Sequence, residues 1–66
     1  MASSETPVSP IKAARDARGE RQCDVASAAG ISVSYLSMIE HGLVPPLDTR
    51  VRIAAALEQP ETELWP

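Results

Sequence analysis

The chain has 66 residues, a formal net charge of -3 and a pI near 4.9, with 44% hydrophobic and 23% charged side chains. A chain of this size buries only about 60% of its unfolded surface, which predicts one small domain and no second, ligand-sensing one. The composition is that of a globular protein, and the acidic balance removes the simplest argument for a nucleic-acid ligand, a strongly basic surface.

Cys23 is the single cysteine, so no intramolecular disulfide can staple the core, and a bundle of short helices is the expected solution. No apolar run approaches the roughly 20 residues of a membrane-spanning helix, and the start of the chain is polar, so the expectation is a cytoplasmic protein. Residues 1–10, with Pro7, Pro10 and only Val8 as a buriable side chain beyond Met1, read as a flexible arm ahead of a domain over 11–66.

The first helix is expected over Ile11 to Arg18, with Pro10 suited to the first turn, Gly19 to the stop, and Ile11, Ala14 and Arg18 on one face. A second covers about Gln22 to Ala29 and ends at Gly30, with Val25, Ala26 and Ala29 inward. A third runs from Ser32 to His41. The Ser32 hydroxyl caps its amides, Ile31 and Leu36 stand at the two positions of a hydrophobic staple, and Gly42 closes it. Its buried face carries Leu36 and Ile39, which leaves Val33, Ser34, Ser37, Met38 and His41 turned elsewhere. Leu43 to Leu47, with the Pro45-Pro46 pair, is expected to be extended, followed by a fourth helix capped by Asp48 or Thr49 and reaching about Glu58. Pro60 opens a last short helix through Trp65, anchored by Leu64 and Trp65. There is no internal repeat and no coiled-coil heptad.

Gln22 to Gly42 therefore holds two short helices joined at Ala29-Gly30-Ile31, the length and turn chemistry of a helix-turn-helix. Four blocks follow in order: Gln22-Cys23-Asp24-Val25-Ala26, Gly30-Ile31-Ser32, Tyr35-Leu36-Ser37-Met38-Ile39-Glu40-His41-Gly42 and Ile53-Ala54-Ala55-Ala56-Leu57. In these the chain resembles the phage Cro and repressor type of helix-turn-helix proteins, a group that includes the xenobiotic-response-element regulators. The resemblance covers about Ile11 to Trp65. It implies an all-α, five-helix bundle that binds a double-stranded DNA operator, usually as a homodimer, with the third helix in the major groove.

Helix geometry places Val33, Ser34, Ser37 and Met38 outward for base edges, and the family's base-reading positions match Val33, Ser34 and Met38 most closely. Serine hydroxyls donate or accept at several bases and Val and Met pack on a thymine methyl, but none forms the bidentate contact of arginine with guanine. The plainer reading of Val33 and Met38 is a subunit or core contact. The resemblance assigns a phosphate contact to Gln22 and to the amides of the same helix start, where unpaired N–H groups and the helix dipole favour an anion. Arg21, where the family often has a capping Ser, Thr or Asn, brings a cation to that place. Tyr35 is either a phosphate contact through its hydroxyl or a half-buried packing residue. His41 is a helix-end neighbour of phosphate when protonated. Arg50 and Arg52 lie about 200 degrees apart on the fourth helix, so one of them faces DNA, and Arg50 is taken as the contact.

Arg15 and Glu40 match family positions that often form a buried ion pair, against the plainer reading of two solvated charges. The apolar loop Leu43 to Leu47 is expected to meet a protein surface, a second copy in the simplest case, through Val44, Pro46, Leu64 and Trp65, with Trp65 alternatively capping its own core. Segment 31–49 has no Lys or Arg, a departure from what usually holds phosphate.

Catalysis is not expected: His41 and Cys23 each stand alone, Cys23 reading as a small filler at a helix start, and no metal or cofactor site is expected. Two functions follow. One is a sequence-specific transcriptional regulator, a Cro-like repressor encoded by a prokaryote or phage. The other is a protein-interaction module that keeps the fold but has lost DNA as its ligand.

Overall fold

Short helices need well-made ends, because the first four amides and last four carbonyls of each have no partner within it. The computed structural model describes residues 9–66. In it five helices follow one another: α1 Pro10–Ala17, α2 Gln22–Ala29, α3 Val33–Glu40, α4 Leu47–Leu57 and α5 Glu61–Leu64. Among the described residues there is no strand. The Ser9 hydroxyl accepts from the Lys12 amide and Pro10 takes the first helical position. Ser9 and Pro10 thus belong to the helix start rather than to the expected arm, whose residues 1–8 lie outside the described residues. Ser32 caps α3 as expected, accepting from the Tyr35 amide at 3.1 Å.

The first four helices close alike, with a pair of backbone bonds that folds the chain back on the last turn. After α2, the Gly30 amide donates to Ser27 and the Ile31 amide to Ala26. After α4, Glu58 donates to Ala55 and Gln59 to Ala54, and the same pairing ends α1 at Gly19 and α3 at Gly42. This closure favours a left-handed residue, normally glycine. Gly30, at φ 74°, turns α2 into α3.

The core holds Ile11, Val25, Leu36, Ile39, Ile53, Leu57 and Leu64, with Ala14, Ala26, Ala29 and Ala54 among them. The alanines let α2 lie close on its main partners, α4 and α3, while α5 rests on α4 and α1. Three expectations are corrected. The inward side chain of α1 beside Ile11 and Ala14 is Arg15 rather than Arg18, because a carboxylate in the core draws it in. The fourth helix starts at Leu47, not after Asp48 or Thr49. Pro46, at φ -59° and ψ 160°, already holds the backbone shape of a cap, which leaves Asp48 in the first turn and Thr49 buried. The last helix ends at Leu64, one residue short of Trp65.

Glu58 is the one non-glycine residue with positive φ among the described residues, at 57°. A side chain there costs on the order of 1 kcal/mol, and the exposed Arg18–Glu58 contact at 3.3 Å returns less than that. Glu58→Gly is therefore expected to raise the melting temperature by about 3 °C, since roughly 1 kcal/mol moves a domain of this size by 4–8 °C. A lower midpoint in a thermal melt followed by circular dichroism would contradict this account of the α4 end.

Candidate nucleic-acid interface

α2, the Gly30 turn and α3 form the helix-turn-helix, and the side chains that orient it meet at Glu40. The Arg15 Nε and Nη2 donate to Glu40 Oε2 and Oε1 at 2.8 and 3.2 Å, and the Gln22 amide nitrogen donates to Oε1 at 3.0 Å. Arg15 Nη1 also donates to the Glu20 carbonyl. Arg15 and Glu40 are both buried, so the reading of two solvated charges is set aside. The bonds to Glu40 raise the Arg15 pKa against the lowering effect of burial, which keeps the guanidinium charged. One carboxylate thus joins α1, the start of α2 and the end of α3.

On the outward side of α3, Ser34 is exposed and Ser37 partly covered. Val33 and Met38 are 43% and 55% exposed, so the reading of these two as core contacts fails. Tyr35 is half-buried, its ring packed against the core. His41 is exposed and its Nδ1 lies 2.7 Å from the Ser37 carbonyl oxygen, where a protonated Nδ1 donates to the open end of α3.

The start of α2 is closed by a residue that the sequence reading passed over. Asp24 Oδ2 accepts from the Arg21 backbone amide at 3.0 Å, and the Arg21 guanidinium reaches the two Asp24 oxygens at 3.4 Å. A guanidinium cannot accept, so only the Asp24 half of a reciprocal capping box is made. The signal was an acidic residue three positions after the helix start. Cys23 is exposed rather than a filler, because the second position of α2 faces away from the core.

Arg50 is spent within the fold. Its Nε donates to Glu61 at 2.8 Å and its Nη1 to the Pro45 carbonyl at 2.9 Å, which ties α4 to α5 and to the buried Pro45. Arg52 is the freer of the two, with its side chain 52% exposed against 24% for Arg50. Its Nη1 lies 3.7 Å from where a Cβ on Gly30 would stand, beside the turn of the motif. Its carboxylate neighbour, Asp48, is at 3.8 Å.

Of the residues expected at a subunit contact, Leu64 is 3% exposed and belongs to the core, because α5 turns it inward against α1 and α4. Val44 and Pro46 are exposed and Trp65 is half-buried. Val44 and Trp65 line a groove with Pro10, Ile39 and Leu43, at the end of the molecule where α1 begins and α3 ends. Trp65 also packs on the core, so both of its expected roles remain compatible with its place.

The sequence matches the helix-turn-helix family over residues 11–64, most of the chain and all five helices but the first residue of α1. The chain belongs to the Cro/C1-type helix-turn-helix family. It is a DNA-binding transcription regulator whose ligand is double-stranded DNA, and the family is regulatory rather than enzymatic. No curated protein matches the chain in sequence. Among the described residues no helix is long and apolar enough to cross a membrane.

Two measurements test this electrostatic frame. Glu40→Leu leaves the Arg15 guanidinium buried without its partner and is expected to cost about 3 kcal/mol in a urea titration, with Arg15→Met restoring much of the loss in the double variant. Asp24 and Asp16 titrate below their usual 3.8, Asp24 held down first by the Arg21 amide and then by its guanidinium, Asp16 by the hydrogen bond from Lys12. A carboxylate whose folded pKa is depressed stabilises the fold above its unfolded value, and that contribution fades as pH falls through the lower folded value. Asp16→Asn/Asp24→Asn should therefore flatten the loss of stability as pH falls below the usual carboxylate range of about 4, and an unchanged acid limb would contradict the assignment.

Proposed function

We propose that the protein is a Cro-like repressor that binds a palindromic operator as a homodimer, with α3 in the major groove. The observation that carries this is the outward face of α3: Val33, Ser34 and Met38 stand free of the core at the positions that read bases in the family. Serine hydroxyls would supply permissive hydrogen bonds and the two apolar side chains would favour thymine methyl groups, so the half-site is expected to be rich in A·T pairs. Gln22, Arg21 and the α2 amides face the phosphate backbone, with Tyr35 and His41 beside them and Arg52 taking the place expected of Arg50. A second copy is proposed to cover Val44, Pro46 and Trp65. Two α3 helices about 34 Å apart would read half-sites one turn apart. A DNA ligand puts the site of action at the nucleoid of a prokaryotic or phage-infected cell.

One observation favours the second reading, a protein-interaction module. All six Lys and Arg side chains lie within 4 Å of a carboxylate, while Val44 is 64% exposed beside an apolar groove.

Selection of duplexes from a random pool, read by sequencing, separates the two. A palindromic motif is expected. Absence of enrichment at low salt, with the protein shown to be folded, would move the assignment to a protein partner. On the selected site, Ser34→Ala is expected to relax preference at one position per half-site, whereas Gln22→Ala should weaken all sequences alike. Equal losses on every sequence from both variants would sink that division of roles.

A further inference from the structure

Each cation of this chain already has a carboxylate, so a phosphate can gain one only by displacing an internal partner. The pairs differ in how firmly they are held. Arg15 and Arg50 are bonded at 2.8 Å and are covered by neighbouring elements. Lys12 and Arg18 hold partners at 2.8 and 3.0 Å. Arg52 is the most loosely paired, 3.8 Å from Asp48 and not hydrogen-bonded to it, while Arg21 is held at 3.4 Å with its side chain 79% exposed and is the only one of these two whose carboxylate also takes a backbone amide.

We propose that the Asp24 carboxylate is a built-in competitor for DNA phosphate at the start of α2, and that it sets the affinity of the domain by occupying Arg21 and its amide. Two carboxylate oxygens take one backbone N–H and the side of a guanidinium, the kind of donors that phosphate oxygens use at a protein–DNA contact. An exposed pair of this kind is weak enough to exchange, and it is intramolecular, so it is present at every DNA concentration. Binding then requires Arg21 to leave Asp24. The carboxylate stays behind as a negative charge next to the incoming phosphate, so the contact contributes less than a free arginine would. Asp24 thereby lowers affinity for all sequences while leaving base preference to α3.

The inference rests on the proposed DNA contact at the start of α2. Its test is a salt titration of binding to a short mixed-sequence duplex, followed by fluorescence anisotropy. Asp24→Asn keeps an oxygen for the Arg21 amide, so the helix start survives, and Asp24→Ser repeats the measurement with another capping residue. Both variants are expected to bind about threefold to fivefold more tightly, the scale of one exposed ion pair. The slope of log affinity against log salt should steepen by about 0.9 per chain as Arg21 becomes a free phosphate contact. In an Arg21→Ala background the gain should shrink to the small effect of net charge alone. Equal or weaker binding by both variants, or a full gain that persists without Arg21, would overturn the competition while leaving DNA binding in place. Failure of the folded wild-type protein and all variants to bind any duplex at low salt would overturn the DNA reading itself, and the inference with it.

Discussion

The Glu40 carboxylate is the constraint on which the rest of the structure depends. It lies in the interior of a domain with few apolar residues to spare, and its charge is met by two guanidinium bonds and one amide bond. Taking two ions out of water costs several kcal/mol each before their attraction is counted. The pair therefore adds orientation more than net stability. Only one arrangement of α1, α2 and α3 satisfies every donor, so the angle between the two helices of the motif is set by hydrogen-bond geometry as well as by packing. A core built largely from alanine and aliphatic side chains would tolerate more than one such angle.

The outward surface follows from that fixed angle. Short side chains at Ala26, Ala29 and Ala54 let α2 settle between α3 and α4, and the close turn at Gly30 leaves α3 projecting with its first residues uncovered. Arg15 turns inward and Arg50 is drawn to Glu61 and Pro45, so the cations that might have served a ligand serve the fold. What remains outside on α3 is apolar or hydroxyl-bearing. In the proposed complex such a surface discriminates by shape and methyl contact and draws little affinity from charge.

Much of the architecture was legible because its signals are local. Ser32, Gly19, Gly30 and Gly42 mark helix ends through cap and turn chemistry that needs no tertiary partner. The family blocks fixed the order of the helices, and the resemblance paired Arg15 with Glu40; the bond from Gln22 to Glu40 was not expected, because the resemblance gave Gln22 to phosphate. The errors fell where a distant partner decides. Arg18 sits at a face position as plausible as that of Arg15 until Glu40 is placed. The α4 start moved to Leu47 because Pro46 supplies cap geometry without a capping side chain. Leu64 was expected at a subunit contact and Arg50 at phosphate, yet α5 packs one inward and pairs with the other. The Asp24 closure of α2 was readable from its position, but the arginine before it hid a cap that normally begins with a hydroxyl.

The pairing of cations with carboxylates also governs how quickly the domain can meet its ligand. A polyanion is steered toward a protein by an excess of positive charge acting over about a Debye length, roughly 8 Å at physiological salt. Here the net charge is -3 and each cation is matched within 4 Å, so the distant field offers DNA no attraction. Encounter proceeds at the unsteered rate of about 10⁵–10⁶ M⁻¹s⁻¹ or below. For the proposed contact through α3, residence on DNA then depends on fit at close range rather than on charge acting at a distance.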